Sequence, residues 1–215
     1  MELLKKAMDP ISWLTHFIGA GLSLIGLFII IVLSKLVDIP NSLFLGVIIF
    51  GISLIALYSA SSLYHYFSGS EKIKLILRKL DHSMIYVLIV GTYTPVVLFC
   101  MESPKCYYFL MILWMIALIG VIVSVCWINA PRIISTFFYL LLGWAVIFDF
   151  QSFSLLPSHI LSLIAYGGIS YSVGAIIYII KKPNISSYFG FHEIFHIFVM
   201  VGSLLHYIAV LLLVL

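Results

Sequence analysis

Charge is what this sequence has least of. Of 215 residues, eleven are Lys or Arg and eight are Asp or Glu, 9% in all, where a soluble domain carries about 25%. A chain so poor in charge cannot cover its surface with polar side chains, which excludes a soluble enzyme and a disordered tail. Cysteine is scarce as well. Cys100, Cys106 and Cys126 are too few for a secreted disulfide scaffold and fit no metal-ligand spacing. Cys100 and Cys106 flank one loop, and are expected to be lone apolar thiols rather than a pair. No lysine falls inside an apolar run, so the Schiff-base anchor of a retinal-binding bundle is missing. Eleven cations, all near run ends or in loops, do not make a nucleic-acid surface. What abounds is hydrophobic side chain, 64% of the residues with a mean hydropathy of +1.24. The class left is an all-α polytopic membrane protein with lipid bilayer around it.

The apolar runs predict seven transmembrane helices, over 11–33, 41–67, 81–100, 107–128, 133–149, 159–180 and 191–215. Hydrocarbon offers unpaired backbone groups no partner, so helix is the expected form throughout. Proline-bearing breaks punctuate the runs, as at Asp38-Ile39-Pro40, Ala130-Pro131-Arg132 and Lys182-Pro183-Asn184. No run is left over for a soluble domain, so residues 1–215 are expected to form one seven-helix membrane domain. The first run continues past the small residues Gly19-Ala20-Gly21 to Leu33, too long for a cleaved signal segment.

Orientation follows from the cations. Lys5, Lys6, Lys72, Lys74, Arg78, Lys79, Arg132, Lys181 and Lys182 fall on one side, and only Lys35 and Lys105 on the other. The positive-inside rule then predicts a cytoplasmic N-terminus and an external C-terminus. In 71–80, Ile73, Ile76, Leu77 and Leu80 repeat at helical spacing, which predicts a short helix in the cytoplasmic headgroup layer, with a solvated loop held near anionic lipid as the alternative. Gly19/Ser23 and Ser170/Gly174 have the spacing that lets helices approach closely, and Pro95 is expected to kink span three.

An ionisable side chain inside a span calls for a reason, because its burial costs free energy. His65 lies near the end of span two, Asp81 at the start of span three, and His192 and His196 at the start of span seven. The alternation of spans brings all four to one depth near the cytoplasmic face. His192 and His196 are i, i+4, with imidazoles about 40° apart on one helical face, able to grip one ion. With His65 they make a three-imidazole set suited to zinc with an open fourth position. Ser61, one turn before His65, can hydrogen-bond a water on that ion, and Asp81 can act as its base or orient a histidine. His16 and His82 are expected to be hydrogen-bonding bridges between helices. His206, about 21 Å from His192 along the helix, is expected to make a polar contact in the outer half. His192-Glu193-Ile194-Phe195-His196 also spells H-E-x-x-H, so an intramembrane metalloprotease is a rival reading.

Several motifs, in order, cover the chain: Asp9-Pro10-Ile11-Ser12-Trp13-Leu14-Thr15-His16, Ser61-x-x-x-His65, Lys79-Leu80-Asp81-His82-Ser83, Gly91-Thr92-Tyr93-Thr94-Pro95 and Gly190-Phe191-His192-Glu193-Ile194-Phe195-His196. Together they resemble the hemolysin III family, the bacterial branch of the progestin and adipoQ receptor family. The resemblance implies seven membrane helices and zinc on His65, His192 and His196, with Asp81 and Ser61 around a water on the metal. It also implies kinship with adiponectin receptors, for which ceramidase activity is proposed, and hence a membrane lipid as substrate or ligand. The receptor members carry long N-terminal regions, where this chain has about ten residues before span one, and they tend to have an amide where Glu193 stands. Three activities are compatible with the resemblance: a zinc-dependent lipid hydrolase, a membrane-state sensor with structural zinc, and the pore-forming cytolysin that the family name implies.

Overall fold

Backbone groups in hydrocarbon can pair only with one another, and the regular secondary structure among the described residues is all helical. The computed structural model describes residues 7–186 and 189–215, so Lys5 and Lys6 lie outside the described residues. The helices are α1 (Pro10–Val37), α2 (Asn41–Tyr66), α3 (Glu71–Cys100), α4 (Lys105–Cys126), α5 (Arg132–Gly143), α6 (Phe150–Phe153), α7 (Ser158–Ile180) and α8 (Phe191–Val214). A 3-10 stretch, Ala145–Asp149, joins α5 to α6. Among the described residues, seven segments are long and apolar enough to cross a membrane: α1 to α4, the joined segment Arg132–Phe153, α7 and α8. Prolines mark the starts. Pro10 is in the first turn of α1, and Pro40, Pro104, Pro131 and Pro157 precede α2, α4, α5 and α7, positions where no intrahelical N–H is lost.

One expected element is different. Residues 71–80 are not a separate headgroup helix but the first turns of α3, which runs unbroken for 30 residues. No glycine or proline interrupts the chain there, so the helix propagates. At 1.5 Å per residue it is about 45 Å long, against a hydrocarbon core of about 30 Å. Ile73, Ile76 and Leu80 are exposed on its extension.

Helices α2, α3 and α8 are the inner ones, with 56%, 50% and 39% of their apolar windows buried, whereas each of the other spans is at 22% or below. The core around Val47, Phe50, Val97, Ala209 and Val210 fills the space between them. Helix α1 packs on α2 and α8 through a stripe of small and polar residues: Ser12, His16, Gly19, Ser23, Gly26 and Ser34, with Ile30. A Cβ on Gly19 would stand 2.8 Å from the Tyr58 ring, so only glycine permits that approach. Ser23 and Ser34 donate back to the carbonyls of Gly19 and Ile30 at 2.7 and 2.6 Å, which satisfies their hydroxyls without a second helix.

Span five is broken after Gly143, and α3 supplies what the break leaves unpaired. The Tyr93 hydroxyl donates to the Gly143 carbonyl at 2.7 Å and accepts from the Val146 N–H at 2.9 Å. Trp144 Nε1 donates to Ser172 on α7 at 3.0 Å. Where span five ends, Lys105 pairs with Asp149, whose carboxylate also accepts from Ser152. The three cysteines are free thiols.

Candidate metal centre

Two inner helices meet at the end of the bundle that carries the N-terminal turn of α1. The last turn of α2 presents Ser61 and His65, each 2% exposed, and the first turns of α8 present His192 and the buried His196. The i, i+4 spacing puts both α8 imidazoles on the face turned to α2. One ring nitrogen from each of His65, His192 and His196 lies within 4.8 Å of the other two. The Nε2 atoms of His65 and His192 are 3.3 Å apart. Two nitrogens about 2.0–2.1 Å from a tetrahedral zinc ion would stand about 3.3–3.4 Å apart, so this pair already has the edge length of such a shell. Three imidazoles are also the chemistry zinc favours, and the donor set fits the ion.

The expected residues fall around this cluster in different ways. A cavity of about 510 Å³ opens beside it, lined at this end by His16, Ser61, Asp81, His192 and His196. His65 is not in that lining. Deeper in, the cavity passes Tyr93 and Phe153 and reaches Tyr171 and His206. Most of the lining is apolar side chain. His206 makes the polar contact expected of it, its Nε2–H donating to the Ile164 carbonyl at 3.2 Å. The His82 carbonyl, not its ring, accepts from Tyr139 at 3.3 Å.

His16 departs from expectation. It is no hydrogen-bonding bridge, since neither ring nitrogen has a hydrogen-bond partner among the described residues. Instead its ring stacks on His196, with centroids 3.7 Å apart and planes 11° from parallel, and meets the edge of Tyr58. The stack fixes the plane of a candidate ligand from the side of α1.

Two further residues at the start of α1, Asp9 and Ser12, were not singled out for the site by sequence. Asp9 Oδ2 accepts from His65 Nδ1 at 2.9 Å, and the Asp9 N–H donates to the His65 carbonyl at 3.0 Å. Asp9 lies just before α1, and the hydrogen bond from His65 holds its carboxyl below the usual value despite partial burial. Ser12 donates to Glu193 Oε1 at 2.9 Å, while Glu193 Oε2 accepts from the Gly190 N–H at 2.8 Å. Glu193 thus caps α8 and ties it to α1. The signal was present in the sequence: Asp9, Ser12 and His16 are spaced i, i+3, i+7, which places three polar groups on one face of a helix start.

The chain is similar along most of its length to proteins of one family. The profile described as "Haemolysin-III related" matches residues 5–207. A relative named Hemolysin-3 homolog, from Bacillus subtilis (strain 168), is 37% identical over 199 residues, covering 92% of this chain and 90% of the relative. Hemolysin-3 of Bacillus cereus is 34% identical over 203 residues, 94% of this chain and 90% of that protein. More distantly, the human monocyte to macrophage differentiation factor is 25% identical over 166 residues, 75% of this chain and 67% of its own length. No solved structure matches the chain.

Proposed function

The chain belongs to the haemolysin-III related family of multi-pass membrane proteins, and from that premise we propose that it is a zinc-dependent hydrolase of a membrane-lipid amide or ester. The observation that carries this reading is the convergence of His65, His192 and His196 at one end of a largely apolar cavity. Zinc held by these three imidazoles supplies Lewis-acid polarisation of a substrate carbonyl and makes water acidic near neutral pH. Asp81, on the cavity wall, takes the proton of the attacking water and returns it to the departing amine or alcohol. The Ser61 hydroxyl holds that water in place. The apolar remainder of the cavity receives an acyl chain and excludes bulk water. The cation distribution supports a site near the cytoplasmic face.

Elemental analysis of the purified protein tests the metal. About one zinc per chain is expected, with most of it lost in His192→Ala; wild-type protein that stays metal-free after zinc loading sinks the reading. Asp81→Asn tests the chemistry. It should keep its zinc while turnover of lipid amides or esters falls by about 10²- to 10⁴-fold.

The deep burial of His65 and His196, braced by α1, also suits a structural ion in a non-enzymatic sensor of the bilayer. Under that reading Asp81→Asn leaves the cellular phenotype intact. An H-E-x-x-H peptidase has less support. Glu193 has both carboxylate oxygens engaged by Ser12 and Gly190 and does not line the cavity.

A further inference from the structure

Asp9 stands at the N-cap of α1 yet makes no side-chain capping bond to that helix. An aspartate there ordinarily accepts from a backbone N–H in its own first turn. Its carboxylate reaches instead across to α2, where His65 Nδ1–H donates to it at 2.9 Å. The backbone makes a second tie between the same two residues, from the Asp9 N–H to the His65 carbonyl at 3.0 Å. The two contacts leave the His65 ring little freedom to turn.

The tautomer follows. A carboxylate only accepts, so the nitrogen facing it must carry the proton, and Nε2 is left with a bare lone pair. That Nε2 is the atom 3.3 Å from His192 Nε2. We propose that Asp9 is the positioning residue of the metal centre: its carboxylate holds His65 in the Nδ1–H tautomer and aims Nε2 at the ion. The inference rests on the metal reading above and adds the partner that orients one of its ligands. Histidine ligands commonly donate their second ring N–H to a carboxylate or carbonyl, and loss of that partner typically costs about 10- to 100-fold in metal affinity. Asp9 meets that description from a helix that contributes no ligand itself, so the first turn of α1 becomes part of the centre.

The test uses full-length protein in detergent, stripped of metal, with zinc affinity read by competition against a chromophoric chelator and the ligand field read from the cobalt(II) absorption spectrum. Asp9→Ala should weaken zinc binding about 10- to 100-fold and shift the cobalt bands, while the thermal midpoint of the metal-free protein falls only by what the loss of one hydrogen bond to a buried ring takes. Asp9→Asn keeps the shape and loses the charge. It should fall between the two in affinity, and it carries the test if Asp9→Ala does not fold. Wild-type affinity and an unchanged cobalt spectrum in either variant would overturn the inference. So would a lowered metal-free midpoint with affinity unchanged, which marks a purely structural tie. If the wild-type protein binds neither metal, the metal reading falls and this inference with it. If the wild type binds one ion and the variants bind it equally well, only the inference falls.

Discussion

At the scale of single residues, the histidines are held mostly by what surrounds them. His65 is gripped by Asp9, His196 is stacked by His16, and the helix turn bearing His192 is tied down through Glu193 and Ser12. The α1 side chains in these contacts, with Asp9 just before the helix, are at i, i+3 and i+7. Ser12→Ala should therefore leave Glu193 Oε1 without its partner and cost about 1 kcal/mol of stability, read as a lower thermal midpoint in detergent. Zinc content should stay near wild type, because the capping bond from Gly190 remains. Removing a candidate ligand has the opposite signature. His65→Ala should lose most of its zinc, measured by elemental analysis, and a variant with full metal content would remove His65 from the ligand set.

At the scale of elements, the two irregular spans show how motifs with no evident chemistry shape the fold. The run Gly91-Thr92-Tyr93-Thr94-Pro95 carries the proline expected to kink span three. Its tyrosine also bridges the broken backbone of span five, supplying both an acceptor and a donor where α5 stops. Unpaired backbone groups at membrane depth are tolerated only when protein satisfies them. Tyr93→Phe should cost about 1–2 kcal/mol and raise amide hydrogen exchange at Val146, with little change in metal content. Equal protection at Val146 in the two proteins would show that the hydroxyl does not hold the break. The long α3 makes the complementary point. Residues 71–80 carry the pattern of an interfacial helix, and a helix that starts there has no reason to stop before Asp81.

At the scale of the whole molecule, the three imidazoles join α2 to α8, while Asp9, Ser12 and His16 bring in the start of α1. A bound ion would thus tie together segments that lie at the two ends of the chain. Metal removal by a chelator should lower the thermal midpoint of wild-type protein. At a free zinc concentration 100 times Kd the stabilisation lost is about 2.7 kcal/mol. His192→Ala should show no response to chelator, and a wild-type midpoint indifferent to zinc would contradict a tie of this kind. The cation distribution makes a further whole-molecule prediction. A C-terminal alkaline phosphatase fusion, active only outside the cytoplasm, should be active, and a silent, stably expressed fusion would reverse the orientation.

The sequence by itself determined the seven spans and brought His65, His192 and His196 to a common depth. Both follow from one-dimensional quantities: the length of an apolar run set against bilayer thickness, and the count of residues from each run's end. The Asp9–His65 bond, the His16 stack on His196 and the engagement of Glu193 were left to the tertiary structure. Rotation of α1 about its axis is what creates those contacts, and lipid-facing composition does not fix it. In hydrocarbon the apolar face of a helix gains nothing by turning inward, so packing of small residues sets the rotation. Gly19 against Tyr58 is such a contact, and it turns the face bearing Ser12 and His16 toward the histidines.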